Sequence, residues 1–187
     1  MYNIIETKKI GKNLIVENFV IIKENVSLGD NVIISNHSVI GTNAFITQKD
    51  YLQHCFDIKI GSNVYIGAFV NIAFGATKCT IIEDDVIINS YVLIAEDCHV
   101  YKGVSLAPGV KVGGYASIGE NTSVGLGAVI RNRIKIGSNS IIGMGSVVVK
   151  DIPDGVIAYG NPCVVHDKNI LPVKVVRKIV RGVKRIF

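Results

Sequence analysis

An aliphatic residue recurs at every sixth position along most of this chain and opens a six-residue unit 22 times. The units open at Ile10, Val16, Ile22, Leu28, Ile34, Ile40, Ile46, Ile60, Ile66, Ile72, Ile82, Ile88, Ile94, Val100, Leu106, Val112, Ile118, Val124, Ile130, Ile136, Ile142 and Val148. A short fixed period predicts a repeat structure in which each unit is one short strand and one corner. We therefore expect an all-β chain folded as a parallel β-helix.

The fifth position of each unit is also small or apolar, as at Val86, Val92, Cys98 and Val104. First and fifth positions lie four residues apart, so both side chains face the same side of an extended segment, which we expect to be the interior. The fourth position is usually Asn, Asp or Gly, which tolerate the positive φ of a tight corner. Three units close one triangular coil, and the repeat predicts about seven stacked coils.

The repeat loses its register twice. Ile46 and Ile60 are too far apart for one unit, so segment 47–59 is predicted to protrude as a loop. Ile72 and Ile82 are also too far apart, and their spacing predicts a smaller bulge between them. Since loops on a regular scaffold often carry function, these breaks mark the first place to look for chemistry. The alternative is that the loop only pads a subunit contact.

Both breaks are expected to share an edge with one later corner. The units that open at Ile46, Ile72 and Ile94 are three apart, so their corners should stack in successive coils. This edge would carry His54 on the loop and Glu96 at the third corner, with the Glu96 carboxylate pointing outward. We place the candidate site there.

Composition excludes several classes of protein. The mean hydropathy is positive at +0.40, yet no apolar run approaches the length of a membrane span, so the apolar residues form an inward stripe. Residues 1–11 lack a secretory apolar stretch, and a cytoplasmic location is expected. The net charge of +5 comes from residues 168–187, which hold seven basic residues and no acid. The remainder is slightly acidic, which argues against a nucleic-acid surface.

The chain is divided into a lead-in over 1–9, the β-helix over 10–153, and an extension over 154–187. Pro172 can begin a helix, and apolar and basic residues then alternate at helical spacing to the end. This basic amphipathic α-helix over 172–187 has two interpretations. It packs on the assembled protein and covers the open end of the β-helix, or it makes a peripheral contact with an anionic membrane.

Three segments carry a resemblance to a known family: EDCHVYKGVSLAPG (96–109), IIGMGSVVVKDIP (141–153) and YGNP (159–162). With them the chain resembles the bacterial hexapeptide-repeat acyltransferases, and most closely the branch that acetylates sugars for sialic acid and nucleotide-amino-sugar pathways. The resemblance implies a left-handed β-helix, a homotrimer, and acetyl-CoA bound along the C-terminal coils between two subunits. Flat prism faces with outward Tyr65, Phe69 and Tyr91 also favour closed cyclic assembly.

The resemblance also assigns residues to the two substrates. In relatives, the last coils and the terminal turn bind CoA through backbone groups and cations. The residues at these positions here are Gly125, Gly143, Gly145, Lys150 and Gly160. On the acceptor side, Glu96 and Ser105 stand where relatives of the sugar-acetyltransferase branch have histidines, and Asp97 lies beside Glu96. We assign Ser105 and Asp97 to acceptor binding, although the corner preference for Asp explains Asp97 without chemistry.

Three residues are candidates for the general base that acyl transfer to a hydroxyl needs. Glu96 occupies the family position of the catalytic imidazole. His54 lies in the loop on the same edge, and an imidazole acts near neutral pH with little tuning. His99 is a sixth-position residue, expected outward on a flat face, where it either packs against a neighbour or takes part in catalysis. Each also has a plain structural interpretation as a surface or packing residue.

The favoured hypothesis is an acetyl-CoA-dependent transferase that acetylates a hydroxyl or amine of a sugar or nucleotide-linked sugar for surface glycans. The alternative is a catalytically silent β-helix that serves as a scaffold or ligand-binding trimer. A zinc lyase of the γ-carbonic-anhydrase kind would need three histidines that meet, and His37, His54 and His99 lack that spacing. We therefore expect no metal.

Overall fold

The computed structural model describes residues 2–43 and 57–168, and the repeat forms short strands over almost all of them. Most strands hold two residues, a sixth-position residue and the opener after it, because the chain then enters a corner. The strands are β1 (Ile4–Ile5), β2 (Lys9–Ile10), β3 (Ile15–Val16), β4 (Ile21–Ile22), β5 (Val26–Leu28), β6 (Ile33–Ile34), β7 (Val39–Thr42), β8 (Ile58–Ile60), β9 (Tyr65–Ile66), β10 (Asn71–Ala73), β11 (Thr80–Ile82), β12 (Ile87–Ile88), β13 (Leu93–Ile94), β14 (His99–Val100), β15 (Ser105–Leu106), β16 (Lys111–Val112), β17 (Ser117–Ile118), β18 (Ser123–Val124), β19 (Val129–Ile130), β20 (Lys135–Ile136), β21 (Ile141–Ile142), β22 (Val147–Val148), β23 (Val156–Tyr159) and β24 (Val164–Lys168).

Every third strand lies on the same face, so the described chain winds into three sheets. Sheet A has the order β1-β4-β7-β10-β13-β16-β19-β22, sheet B β2-β5-β8-β11-β14-β17-β20, and sheet C β24-β23-β21-β18-β15-β12-β9-β6-β3. Openers pair with openers, as Ile88 does with Leu106. This confirms the all-β parallel solenoid, with about eight turns instead of about seven. The extra length arises because β1 already pairs with β4 and β23 continues sheet C past β21.

The core is the stripe of openers inside the coil. The openers from Ile22 to Val148 that lie in the described residues have exposed fractions of 6% or less. A buried Ile or Leu contributes roughly 1.5–3 kcal/mol, so the repeat itself is the main source of stability. Cys98 is also fully buried, as predicted, and its burial raises the pKa of the thiol to about 12. Such a thiol is a core residue and not a nucleophile.

Corners follow the predicted backbone chemistry. The fourth-position residues Asn31, Asn63, Asp85 and Asn121 have φ between 56° and 59°. Several aromatic residues adopt the same conformation, among them Tyr91 with φ of 62°. The corner geometry of this solenoid therefore accepts large planar side chains as well as Asn, Asp and Gly.

The first register break differs from the prediction in its position. Strand β8 pairs directly with β5, and Leu28 lies beside Ile60, so the unit before Ile60 on the coil is the one opened by Ile40. Ile58 and Lys59, predicted as part of the loop 47–59, lie in β8 instead. Ile46 lies outside the described residues. The chance six-residue spacing of Ile46 from Ile40 produced the error.

The second break is a bulge between β10 and β11, as predicted. Its residues 74–79 leave the coil and return at Thr80, after which Ile82 pairs with Val100 in the regular register. Because Ile72 and Ile94 pair with each other and Ile40 pairs with Ile72, the corners after these three openers share one edge. The predicted edge is therefore present, with the corner after Ile40 in the place of the corner after Ile46.

Both ends of the solenoid extend beyond the predicted boundaries of 10 and 153. Strand β1 pairs with β4 within the segment predicted as a lead-in. At the other end, β23 and β24 form an antiparallel hairpin that closes sheet C. The predicted helix over 172–187 lies outside the described residues. Across 2–43 and 57–168 there is no helix long and apolar enough to cross a membrane.

Candidate functional site

The edge between sheets A and B, called here the Glu96 edge, is where the sequence places chemistry. Its successive corners lie at residues 23–25, 41–43, 73–79, 95–97, 113–115, 131–133 and 149–151. The bulge and the 95–97 corner meet on this edge, as predicted. His54, the third predicted member, lies outside the described residues.

Asp97 organises the bulge. Its side chain is fully buried, and Oδ1 accepts hydrogen bonds from the backbone N–H groups of Ala76, Thr77 and Lys78 at 3.1, 3.0 and 2.7 Å. Oδ2 accepts the Thr77 hydroxyl at 3.1 Å. A carboxylate that receives several N–H donors forms strong charge-assisted bonds. The observed function of Asp97 is to hold the bulge against the coil, and a contact with an acceptor stays a prediction.

Glu96 differs from its prediction. Its carboxylate was expected to point outward from the corner, but the residue is only 9% exposed. The carboxylate packs over Gly114 in the next coil, so closely that a Cβ at residue 114 would lie 2.7 Å from Glu96 Cδ and overlap Oε1. Gly114 thus supplies the space into which Glu96 folds. The Gly113–Gly114 pair, one coil after Ala95–Glu96, was the sequence signal for this burial.

The Glu96 carboxylate has no donor of its own among residues 2–43 and 57–168, where no side-chain or backbone group hydrogen-bonds to it. A buried charge without a partner is costly, and it gains stability from any donor that reaches it. The arrangement is therefore suited to receive an O–H, N–H or ammonium group from outside the described chain.

Tyr115 and Arg133 flank this carboxylate on the two following coils, and sequence reasoning missed Tyr115. Partial burial raises the pKa of the Tyr115 phenol, and the charges of Asp97 and Glu96 raise it further. The phenol therefore remains a hydrogen-bond donor at neutral pH. The guanidinium of Arg133 lies 4.4 Å from the centre of the Tyr115 ring, a cation–π contact. The edge thus combines a buried base, a neutral donor and an exposed cation.

His99 lies just past this corner, outward on sheet B, as predicted. Its Nε2 is 2.8 Å from Glu83 Oε1, and its ring stacks on Tyr101 with centroids 3.8 Å apart. Glu83 Oε2 also accepts the backbone N–H of Lys102 at 3.0 Å. A carboxylate that bonds an imidazole in this way sets the orientation of the ring. Glu83 was missed, although the 18-residue coil places residue 81 beside His99.

A shallow depression adjoins this pair. It measures about 300 Å³ and is lined by Glu83, Lys59 and Lys102 together with backbone of β8 and β11. Lys102 is also 3.7 Å from Asp85, so its charge is partly compensated. The depression is open and its lining is mostly apolar, and the His99 imidazole adjoins it through the contact with Glu83.

The residues assigned to acetyl-CoA separate into two groups. Gly125, Gly143 and Gly145 lie on the edge between sheets C and A, and the carbonyl of Gly160 accepts the backbone N–H of Val147 at 3.0 Å beside them. Lys150 is exposed on the Glu96 edge instead. One chain therefore brings four of these five residues together, and Lys150 would meet them only across a subunit boundary.

The two acceptor assignments are separated as well. Ser105 lies on sheet C, in β15, whereas Asp97 is buried on the Glu96 edge. Within 2–43 and 57–168 no group of three or more His, Cys, Asp or Glu side chains is placed to hold a metal ion. His37 lies at a corner between sheets C and A, away from His99 on sheet B.

Two parts of the repeat match a known family. Residues 7–42 and 115–150 match the family model described as bacterial transferase hexapeptide, six repeats. Among curated relatives, UDP-3-O-acylglucosamine N-acyltransferase of Delftia acidovorans is 40% identical over 73 residues, which is 39% of this chain and 22% of that protein. Acyl-[acyl-carrier-protein]–UDP-N-acetylglucosamine O-acyltransferase of Paraburkholderia phytofirmans is 38% identical over 116 residues, 60% of this chain and 44% of that one. The chain thus spans less than half the length of these relatives.

Solved structures show the same fold. LpxA of Acinetobacter baumannii superposes with a TM-score of 0.79 at 25% identity, over 95% of this chain and 75% of that one. PerB of Caulobacter crescentus, solved in complex with CoA and GDP-perosamine, gives 0.52 at 31% identity, over 58% of this chain and 51% of that one. By its repeat and its fold, the chain is a hexapeptide-repeat β-solenoid of the kind found in bacterial acyltransferases.

Proposed function

We propose that this protein is an acyltransferase that moves an acyl group from a thioester to a hydroxyl or amine of a sugar or nucleotide-linked sugar. The acceptor would bind at the Glu96 edge. The names of the curated relatives support acyl transfer to a UDP-linked amino sugar. The observation that carries the proposal is the buried Glu96 carboxylate, which has room made for it by Gly114 and no donor within the described residues.

The chemistry follows from that geometry. The acceptor hydroxyl or amine donates its hydrogen to Glu96 and attacks the thioester carbonyl, so that its proton passes to the carboxylate as the new C–O or C–N bond forms. The C–S bond then breaks, and the proton returns to the departing thiolate. The Tyr115 hydroxyl is hydrogen-bonded to Asp97 and so helps to hold this corner, whereas Arg133 is exposed and available to a phosphate or carboxylate of the acceptor.

Acetyl-CoA is the proposed donor. Four glycines of the predicted set lie along one edge, and at Gly145, where a Cβ would meet nothing within 4 Å, the backbone is open to an extended arm. A structural relative was solved with CoA, which supports this choice. An acyl carrier protein is the alternative donor, because the name of the Paraburkholderia phytofirmans relative includes it. In the proposed homotrimer, Lys150 of one subunit would meet the glycine edge of its neighbour.

His99 is the second candidate for the base. Its pairing with Glu83 holds the imidazole in one orientation. Glu96 has no such partner among the described residues. His54 remains a third candidate outside the described residues. The Glu96 corner comes just before strand β14, and the depression lies beside His99 in that strand. The place at which the acceptor binds would therefore decide whether Glu96 or His99 acts as the base.

The test is the turnover of Glu96→Gln with acetyl-CoA and a UDP-linked amino sugar as acceptor. Loss of a general base lowers turnover by about 10²–10⁴. Glu120→Gln is a matched control, since Glu120 has the same place in its unit but is exposed on another edge. Wild-type turnover of Glu96→Gln with a hydroxyl acceptor would make the assignment of Glu96 wrong, and His99→Gln is then the next variant.

A catalytically silent, ligand-binding trimer is the second candidate function. It is favoured by the single observation that Glu96 replaces the imidazole found in the sugar-acetylating relatives that the sequence resembles. A thermal-shift titration separates the two: a ligand that binds the native state raises the melting temperature. Acetyl-CoA that raises it without any acyl transfer supports the silent function, and CoA or acetyl-CoA without any effect contradicts the CoA-dependent enzyme.

A further inference from the structure

Four rings form a column along the edge between sheets C and A. Phe19, His37, Phe69 and Tyr91 occupy the fourth position of successive coils, with φ between 58° and 62°. Neighbouring ring centroids are 4.9, 4.8 and 5.0 Å apart, and the planes are within 10° of parallel. Each inner ring has both faces covered, whereas the ring at either end of the column has one face on which no ring of residues 2–43 or 57–168 stacks.

The column stops at Tyr91 although the corners continue. The next three corners carry Gly109, Gly127 and Gly145, with φ of +75°, +67° and +66°. A Cβ at Gly127 or Gly145 would meet nothing within 4 Å, and one at Gly109 would make only ordinary contacts. Tyr91 is 62% exposed, and its bare face borders the empty place above Gly109. Since coils repeat at about 4.8 Å, this place has the height of one stacked ring.

The outward residues of the adjoining sheet A also change, from uncharged to basic, at the coil that contains Gly109. The outward column on sheet A, beside this edge, runs Val39, Asn71, Leu93 and then Lys111. Lys111 is exposed and has no ion pair among residues 2–43 and 57–168. It lies two residues past Gly109, so an exposed cation accompanies the empty place above Tyr91.

We infer that a nucleobase stacks on Tyr91 in the place above Gly109, with its phosphate toward Lys111. The inference rests on the proposed function, which supplies two sources of such a base: the adenine of CoA and the base of a nucleotide-linked sugar. A flat π-system continues a column whose spacing the protein already fixes, and aromatic stacking tolerates any base. The half-buried Ser105 hydroxyl, on the strand that leads to this corner, is available to the sugar.

Two substitutions test the site from opposite sides. Tyr91→Ala removes the stacking face, and Gly109→Phe fills the empty place by adding one ring to the column. The protein tolerates an aromatic side chain at this corner, since Phe69 and Tyr91 have the same conformation. Phe19→Ala is the matched control, because Phe19 is the other end of the same column and is also exposed. Melting temperatures of all variants check that each is folded.

Affinities are measured by calorimetry for CoA, AMP, UMP and UDP-N-acetylglucosamine. Tyr91→Ala and Gly109→Phe are expected to weaken binding about tenfold or more, the effect of one lost base stack. Tyr91→Phe and Phe19→Ala should bind like the wild type. A loss confined to CoA and AMP identifies the donor's adenine as the stacked base, whereas a loss confined to UMP and the UDP-sugar identifies the acceptor's base.

Three results would overturn the inference. If CoA and the UDP-sugar bind the wild type and both substitutions leave their affinities unchanged, the stacking site is wrong while the proposed function stands. If Gly109→Phe alters the oligomeric state and leaves nucleotide affinity unchanged, this edge is a contact between copies of the chain. Failure of the wild type to bind CoA or the UDP-sugar contradicts the proposed function itself, and the nucleobase site with it.

Discussion

At the scale of single residues, the Glu96–Gly114 contact decides what the candidate site can do. Gly114→Ala places a Cβ where the Glu96 carboxylate now lies, so the carboxylate must move. Gly114 does not have a positive φ, and the atoms in the way are the end of a flexible side chain. We expect a change in the free energy of unfolding of about 1 kcal/mol or less, but a fall in turnover of about 10²-fold, close to that of a lost base.

A double-mutant cycle separates this explanation from a general disturbance of the coil. If Gly114 acts by making space for Glu96, Gly114→Ala should have no further effect on turnover once Glu96→Gln is present. Additive losses in the double variant would show that the alanine damages the site through something other than the carboxylate. Urea unfolding of all three variants measures their stabilities in parallel.

The sequence predicts the direction of a side chain when its place in the six-residue unit determines it, but not when a contact with a neighbouring coil does. The outward direction of His99 and the burial of Cys98 follow from place in the unit alone, and both are confirmed. The burial of Glu96 depends on Gly114 in the next coil, and the orientation of His99 depends on Glu83 in the preceding one. Such pairs can be predicted only by comparing residues that are one coil apart in the sequence. The bulge and the insertion change the number of residues in a coil, so this spacing is not constant along the chain.

At the scale of elements, the bulge at 74–79 is held by one carboxylate. Asp97→Asn would replace one oxygen by an NH₂ group that faces N–H donors, and it would remove the charge that strengthens the remaining bonds. We expect a loss of about 2–4 kcal/mol in the free energy of unfolding, because hydrogen bonds to charged groups contribute about 1.5–3 kcal/mol and a buried donor would be left unpaired. Chemical denaturation measures this loss.

Asp85→Asn is the control for that substitution. Asp85 has the same corner conformation, with φ of 59°, but its carboxylate accepts the Asn63 side-chain amide at 3.2 Å and lies 3.7 Å from the exposed Lys102 ammonium, with no backbone N–H bonded to it among the described residues. Its loss should be within about 0.5 kcal/mol, as for most surface changes. Hydrogen exchange of the Ala76–Lys78 amides should accelerate in Asp97→Asn and not in Asp85→Asn. Equal stability and unchanged exchange in both variants would contradict the role given to Asp97.

Strands and corners were the easiest elements to predict, because the six-residue period specifies both. The insertion was harder, since Ile46 continues the period by chance and only the pairing of Leu28 with Ile60 shows which unit comes next. The terminal hairpin was missed because β24 runs antiparallel and its residues do not follow the repeat. A period predicts the coil well and its interruptions poorly, and the candidate site lies at an interruption.

At the scale of the whole molecule, stacked coils bury their openers but leave flat outer faces with apolar side chains. Tyr65 and Leu93 on sheets C and A are 38% and 37% exposed, and Val129 is 40% exposed. Exposed apolar residues on flat, repeating faces favour closed cyclic assembly. The proposed assembly would also explain the separated predictions, since Lys150 would meet the glycine edge only between subunits.

We therefore expect a homotrimer, with a mass by light scattering three times the 20.2 kDa of one chain at micromolar concentration. Tyr65→Asp places a charge on the face of sheet C and should shift the mass toward that of a single chain, because burying an unpaired carboxylate is costly. Tyr2→Asp is the control: Tyr2 is 89% exposed at the N-terminal end, and its replacement should leave the trimer intact. A wild-type mass of one chain would contradict the trimer, and a trimer that survives Tyr65→Asp would place the contact on another face. Acyl transfer that falls in proportion to the loss of trimer would show that two subunits build each site.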